Sequence, residues 1–373
     1  MARFEYRLTT EDEGKTLKAI VREQFAFSSR LRSKLRRGDL ITVNGETQPS
    51  WIPLKEGDLV AVDLPEEQSQ FPPENIPVDV VYEDKHLLVV NKQPGIVVHP
   101  TKGNPCHTLL NGLMYRMSTR AGEESGGSDS IGAEPYKIRL VNRLDMNTSG
   151  LIVIAKNAYV QADLMKQMKD GRMVKKYLAL AEGIIPDDEG TIDLPLGKPD
   201  ENEVERWVVP IEQGGQESVT HFKVMRRFIH PHEMTYGSAK ACGPIEQKTI
   251  DGYTLLELKL DTGRTHQIRI HLAAIGHPVV GDHLYCHGDP FEYRRFYGDP
   301  RPPLTGEKGP RGETNPEIIS DLISRHALHA YSLDFVHPMT GERMHLETGL
   351  PEDMMTAVGN LSDDGEKYAE IAN

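Results

Sequence analysis

The sequence predicts an α+β protein built on a mainly antiparallel mixed sheet and preceded by a small basic α/β module. Strand-like runs outnumber helical ones and do not alternate with them, which argues against a parallel βαβ architecture. Helical spacing of apolar residues is confined to a few short segments. Residues 1–65 carry their own pattern of two short helices followed by small strands, and a polar, Pro-rich stretch closes it.

In the first module, Leu17, Ile20, Val21 and Phe25 predict a helix over 16–27. Ser28 and Ser29 are candidate N-caps for a second helix, in which Leu31 and Leu35 share one face. Arg32 and Arg36 share another, flanked by Arg30, Lys34 and Arg37. Gly38-Asp39 turns the chain into a strand over 40–43, and Asn44-Gly45 is a hairpin signal. Gly57-Asp58 precedes another strand over 59–62. A linker over 66–77 follows, and a large domain spans 78–355. Its strands are predicted at 78–82, 87–90, 151–155, 177–181, 218–225, 253–260 and 332–336, its helices at 105–117, 158–169 and 265–275. Stretches near 118–135 and 286–320 are polar and rich in Gly, Pro or charge, and read as insertions. Residues 356–373 form an acidic tail.

Composition excludes several classes. With 38% hydrophobic and 27% charged residues, a folded globular chain is expected. No apolar run approaches the roughly 20 residues of a membrane helix. The start, MARFEYRLTT, has no basic-then-apolar leader, so a cytoplasmic location is expected. Cys106, Cys242 and Cys286 are far apart and form no CxxC pair, and no HExxH or Gly-rich phosphate loop occurs, so neither metal nor nucleotide cofactor is expected. The net charge of −13 conceals an uneven distribution. Residues 15–40 hold eight basic side chains against Glu23 and Asp39, net +6, while 341–373 carry −6. Phosphate attraction is local, screened over roughly 10 Å, so the overall sign does not exclude a nucleic-acid partner.

The most informative segment is Arg139–Gly150, where Asp145 ends a polar turn that runs into the apolar strand Leu151–Ala155. A carboxylate at a strand's mouth can face a cleft while the strand anchors it. An Asp in such a turn can equally cap its own backbone, and the local pattern does not choose between the two.

Longer resemblances decide it. SSRLRSKLRRGDLITVNGE followed by KEGDLVAVDLP resembles an S4 RNA-binding domain. RLDMNTSGLIVIAKN resembles the signature of the RluA-type pseudouridine synthases. NKQPGIVVHP, KKYLALAEG, LDTGRTHQIRIHLAAIGHPVVGD and HALHAYSLDFVHPMTGE continue the likeness over roughly residues 78–355. The resemblance implies a pseudouridine synthase sheet domain and conversion of uridine to pseudouridine in structured RNA, ribosomal RNA being favoured over transfer RNA. It implies no cofactor, and a monomer is the default expectation. It makes Asp145 the catalytic carboxylate, Tyr177 the ring that stacks on the flipped base and helps remove its C5 proton, and Arg264 the ion-pair partner of Asp145. Arg143 is expected to fill the gap left by the extruded base. His266 and Arg269, three apart on a helix, are expected to touch RNA or to pack. The basic face of Arg30, Arg32, Lys34, Arg36 and Arg37 is expected to bind phosphates. Attack at C1′ or at C6 stays open, and so do a non-catalytic RNA-binding role and a glycosidase activity. One departure from the family pattern is Asn142, where the family usually has His. It is expected to tune RNA contacts or packing without removing activity.

Overall fold

The computed structural model describes residues 3–25, 27, 29–64, 71–101, 103–123, 137–198, 206–236, 246–285 and 322–361. The insertion expected at 286–320, most of the one near 118–135, most of the acidic tail, Cys242 and Cys286 lie outside the described residues.

The N-terminal unit comprises β1 (Arg3–Arg7), α1 (Leu17–Glu23), α2 (Ser29–Arg37), β2 (Ile41–Val43) and β3 (Leu59–Asp63). Its antiparallel sheet has the order β1-β3-β2. Thr16 caps α1 by accepting a hydrogen bond from the Ala19 amide. Asn44-Gly45 forms the predicted tight turn, with Val43 and Glu46 exchanging backbone hydrogen bonds at 2.8 and 3.0 Å, but no long strand follows it. The Asn44 side chain instead holds the Leu59 amide at 2.9 Å, so β2 pairs with β3 across an intervening loop. Leu17, Ile20, Leu35, Val60 and Val62 form a separate small core, and Phe4 and Phe27 meet Tyr159 of the larger unit edge-on at 4.6 and 5.5 Å.

The larger unit contains β4 (Asp79–Glu83), β5 (Leu87–Lys92), α3 (Leu109–Glu123), β6 (Arg139–Leu140), β7 (Ser149–Ala155), α4 (Ala158–Lys169), β8 (Val174–Glu182) and β9 (Glu189–Asp193). It continues with β10 (Leu196–Gly197), β11 (Trp207–Val208), β12 (Val219–Tyr236), β13 (Glu246–Leu260), α5 (Gln267–Ala274), β14 (Leu328–Val336), β15 (Arg343–Glu347) and α6 (Glu352–Asn360). The main sheet runs β4-β5-β7-β14-β8-β13-β12-β9, with β6 beside β7 and β15 beside β14. Among its described pairs only β7–β14 is parallel, so the α+β, mainly antiparallel mixed sheet read from the sequence is the observed one.

β7 shows why the region reads as an uninterrupted apolar run. Leu151, Val153 and Ala155 pack with Val160 and Leu164 of α4, while Ile152 and Ile154 pack with Leu109, Leu110 and Leu113 of α3. A strand covered on both faces loses the polar alternation of a half-exposed one. Each fully buried Leu or Ile contributes roughly 1.5–3 kcal/mol relative to exposure, which fixes the strand that carries the Asp145 loop.

Gly150 is required where β7 meets β14: its φ is +114°, and a Cβ there would lie 2.2 Å from the Ala330 carbonyl oxygen. The close parallel contact His329–Ser149 and Ala330–Gly150 therefore depends on a missing side chain. β12 and β13 extend well past the strands predicted at 218–225 and 253–260. The sequence there is polar and contains Pro231 at a break in register between Ile229 and His232, a position where a strand tolerates proline. Backbone pairing, which has no apolar signature, holds that part of the ribbon.

Candidate active site

Asp145 lies in the loop between β6 and β7, with its side chain 26% exposed. The loop is pinned through its backbone. The Gly95 amide and the Lys92 ammonium both donate to the Met146 carbonyl, at 3.0 and 2.8 Å, and the Thr148 amide donates to the Asp145 carbonyl at 3.1 Å. Lys92 is fully buried and also donates to the carbonyls of Gln93 and Ile96. Burial, with the nearby Arg325 charge, pulls its ammonium down to about 7, against the attraction of Asp145.

The guanidinium beside Asp145 is that of Arg269, not Arg264. Nη1 of Arg269 donates to Asp145 Oδ2 at 3.2 Å. Its Nε and Nη2 grip Asp282 at 2.6 and 2.8 Å, a fork-on-carboxylate pair, and the Tyr285 ring lies 5.0 Å from its central carbon. Burial works against the Arg269 charge, but Asp282 and Asp145 outweigh it and hold the guanidinium firmly protonated. Asp282, buried as well, is in turn held below the usual carboxylate range by Arg269. Arg264 is exposed, and its Nε donates to the Glu217 carbonyl at 3.2 Å. The sequence reading begins the helix at Thr265, whereas α5 begins at Gln267 behind His266, whose φ of +59° places it in the left-handed region. Arg264 precedes the helix on either start, and Arg269, in the first turn, is the one that reaches Asp145.

The same geometry changes the reading of His266 and Arg269. The sequence leaves both free to touch RNA or to pack; in the fold both converge on Asp145, with His266 Nε2 3.8 Å from its Oδ2 and Nδ1 hydrogen-bonded to the Tyr285 hydroxyl at 2.8 Å. Tyr177 lies on β8 with Ala179 and Ala181 on the same side of the pleat, and is buried. Burial, and next the Asp145 charge, push its phenol well above the ordinary value.

Arg143 is exposed two residues before Asp145. Asn142 resolves toward packing: it donates to the Leu151 carbonyl at 3.1 Å and accepts from the Val153 amide at 2.8 Å, so it completes the edge of β7. In α2, Leu31 and Leu35 face the small core, and Lys34, Arg36 and Arg37 are exposed. Arg32 is only partly exposed, with its guanidinium on the Phe27 carbonyl at 2.6 Å. The Arg30 side chain lies outside the described residues.

Residues on which the sequence reading places no role hold the loop from the far side. His326 Nε2 lies 2.8 Å from Thr148 Oγ1 and His329 Nδ1 2.9 Å from Ser149 Oγ. Burial pushes His326 down to about 3 and His329 to about 4; His271, on Thr220 and Leu194, falls to about 4 for the same reason. These folded values lie below the ordinary 6.5, so the unfolded chain takes up protons first as pH falls. Stability is therefore expected to be full above about pH 6.5 and to decline toward about pH 4, which unfolding midpoints measured across that range will show. One group of described residues could gather metal ligands: Glu74, Cys106 and His107, with ligand atoms within 4.8 Å. The ion pair of Glu74 with His107 at 2.6 Å accounts for that arrangement without an ion.

Comparison with known proteins gives consistent relatives. A family model described as RNA pseudouridylate synthase matches residues 86–274. The ribosomal large subunit pseudouridine synthase D of Xanthomonas campestris pv. campestris is 33% identical over 96% of this chain and 92% of that protein. The protein of the same name from Neisseria meningitidis serogroup B is 34% identical over 87% of this chain and 72% of its own length. The uncharacterized RNA pseudouridine synthase YjbO of Bacillus subtilis is 33% identical over 89% of this chain and 94% of its own length. Human RNA pseudouridylate synthase domain containing 1 superposes with a TM-score of 0.46 at 22% identity, covering 80% of this chain and all of that one, a likeness too loose to carry an argument.

Proposed function

The chain belongs to the RNA pseudouridylate synthase family and is an RNA pseudouridine synthase; from that premise we propose that it acts on specific uridines of large-subunit ribosomal RNA, with Asp145 as the attacking carboxylate. The observation that carries the assignment of Asp145 is its ion pair with Arg269, itself clamped by Asp282. A permanent cation at 3.2 Å holds the carboxylate in one orientation while a bound nucleotide excludes water.

The chemistry is a balanced isomerisation. A uridine buried in folded RNA must first be swung out of its stack. Asp145 attacks the nucleotide at C1′ or C6, the C1′–N1 bond breaks, and the uracil turns. C5 then bonds to C1′, the bond to Asp145 breaks and returns the free carboxylate, the C5 proton leaves and N1 takes up a proton. Tyr177 offers the ring on which the uracil stacks during rotation. Arg143 fills the vacated stack in this reading, which its exposure two residues before Asp145 supports. The names of the relatives favour ribosomal RNA over transfer RNA.

Purified protein incubated with ribosomal RNA labelled with tritium at uridine C5 is expected to release tritium and to leave pseudouridine in the chain. Release of free uracil would instead mark a glycosidase. Mapping pseudouridines in total RNA with and without the gene separates the substrates: sites that disappear only from transfer RNA overturn the ribosomal assignment.

The N-terminal module is proposed to be an S4-like RNA grip working through α2. Replacing Lys34, Arg36 and Arg37 together by Gln is expected to weaken RNA binding and to reduce the magnitude of the salt slope by about one for each phosphate that is no longer neutralised. Filter binding at several salt concentrations measures both, and an unchanged slope would reduce the basic face to a solvated surface.

A further inference from the structure

The far side of the Asp145 loop is held by a buried cation that the reaction described above does not use. Arg325, 5% exposed, donates through Nη1 to the Asn147 carbonyl at 3.0 Å and through Nη2 to Ser149 Oγ at 3.3 Å. Nη1 also meets the carbonyls of His326 and Leu328, at 3.1 and 3.3 Å. Those acceptors are neutral. The only carboxylate the guanidinium grips among the described residues is Asp353, bound by Nε at 2.6 Å and Nη2 at 2.9 Å. Asp353 is the second residue of α6 and accepts from its own neighbour, the Met354 amide, at 2.8 Å. The helix is anchored in turn by Met354, Ala357 and Val358, all buried in the main core.

An unbroken path thus runs from the core through α6, Asp353 and Arg325 to the Asn147 carbonyl and the Ser149 hydroxyl, two and four residues past Asp145. A two-pronged carboxylate fixes the plane of a guanidinium, and that plane determines whether Nη1 reaches the Asn147 carbonyl. We propose that Arg325 and Asp353 form a positioning clasp that sets the pose of the Asp145 carboxylate toward the flipped nucleotide. The proposal rests on the assignment of Asp145 made above. Neither residue touches the reacting atoms; they act through the loop. A displacement of about 1 Å at a reacting group can cost about a hundredfold in rate, so a clasp of this kind belongs to the chemical step and not to RNA docking.

The test is a split between rate and affinity in the full-length protein. Asp353→Asn keeps the shape and removes the charge and one acceptor. It is expected to lower the single-turnover rate of pseudouridine formation about 10- to 100-fold while the Kd for ribosomal RNA stays within about twofold. Asp353→Glu, which restores the carboxylate, should recover part of the rate. Asp188→Asn, which breaks an ion pair with Arg227 on an 86% exposed aspartate, should leave both quantities unchanged. Rates are normalised to the folded fraction. Should Asp353→Asn fail to fold, Arg325→Lys keeps the charge, loses the fork and is expected to give the same split. A wild-type rate in the folded variant, or a defect confined to RNA affinity, overturns the clasp. Activity surviving in Asp145→Asn overturns the assignment of the carboxylate instead, so the two failures are told apart.

Discussion

Replacing Asp145 by Asn is expected to lower pseudouridine formation by about four orders of magnitude while leaving the fold intact. The side chain is partly exposed in a loop whose pinning hydrogen bonds are made by the backbone, through the carbonyls of Asp145, Met146 and Asn147. An amide of the same shape keeps those backbone bonds and gives up the nucleophilic charge together with the ion pair to Arg269. Removing a single catalytic carboxylate elsewhere costs about 10⁴-fold, which sets the scale. Single-turnover tritium release from labelled RNA measures the effect, and a circular-dichroism melt near the wild-type midpoint shows that the protein is folded. RNA affinity should change little or rise slightly, since a negative charge facing phosphates is removed. A variant that forms pseudouridine at the wild-type rate would falsify the assignment.

Arg269→Ala is expected to damage stability and rate together. Asp282 is fully buried, and its countercharge among the described residues is Arg269, on two bonds. Removing one partner of a buried ion pair costs about 3–5 kcal/mol, because the other charge is left without compensation. The catalytic loss should be about 10²–10³-fold, as for other single donors aimed at reacting charge. Arg269→Lys separates the two effects. A lysine retains the charge but cannot span Asp282 and Asp145 with a planar fork, so the protein should fold with a reduced rate. Chemical denaturation of both variants, together with the rate per folded molecule, gives the two numbers. Arg264→Ala serves as the contrast. That guanidinium is exposed on a backbone carbonyl, so its removal should have at most a small effect on stability and on Asp145.

The parts of the site legible in the sequence are those written into contiguous residues. Asp145 enters β7 after a polar turn, and the apolar run that follows is long enough to show that the strand is covered on both faces. Tyr177 can be placed on a strand beside two small residues because strand periodicity is short and strict. Asn142 is visible as a departure, but nothing in the order of residues says that its amide closes the edge of β7.

Which distant side chains meet Asp145 is settled by the fold. Arg264 precedes the helix and Arg269 lies within its first turn, so a shift of five positions along the chain carries a guanidinium from the loop to the side that meets Asp145. That shift separates the expected Arg264 from the observed Arg269. A local signal is present in retrospect: Arg269 stands between Ile268 and Ile270 in a helix buried throughout, whereas Arg264 follows Gly263 in a polar loop. The partners Asp282, Arg325, His326 and Asp353 carry no such signal. Each lies more than 130 residues along the chain from Asp145, and a single polar residue looks the same in the sequence whether it is solvated or buried. Contiguous residues alone point to the family and the sheet and single out Asp145 as the candidate acid. The packing of β14, α5 and α6 against the rest of the domain establishes what holds that acid in place, because contacts between remote segments are fixed by how elements fill space and not by the order of residues within any one of them.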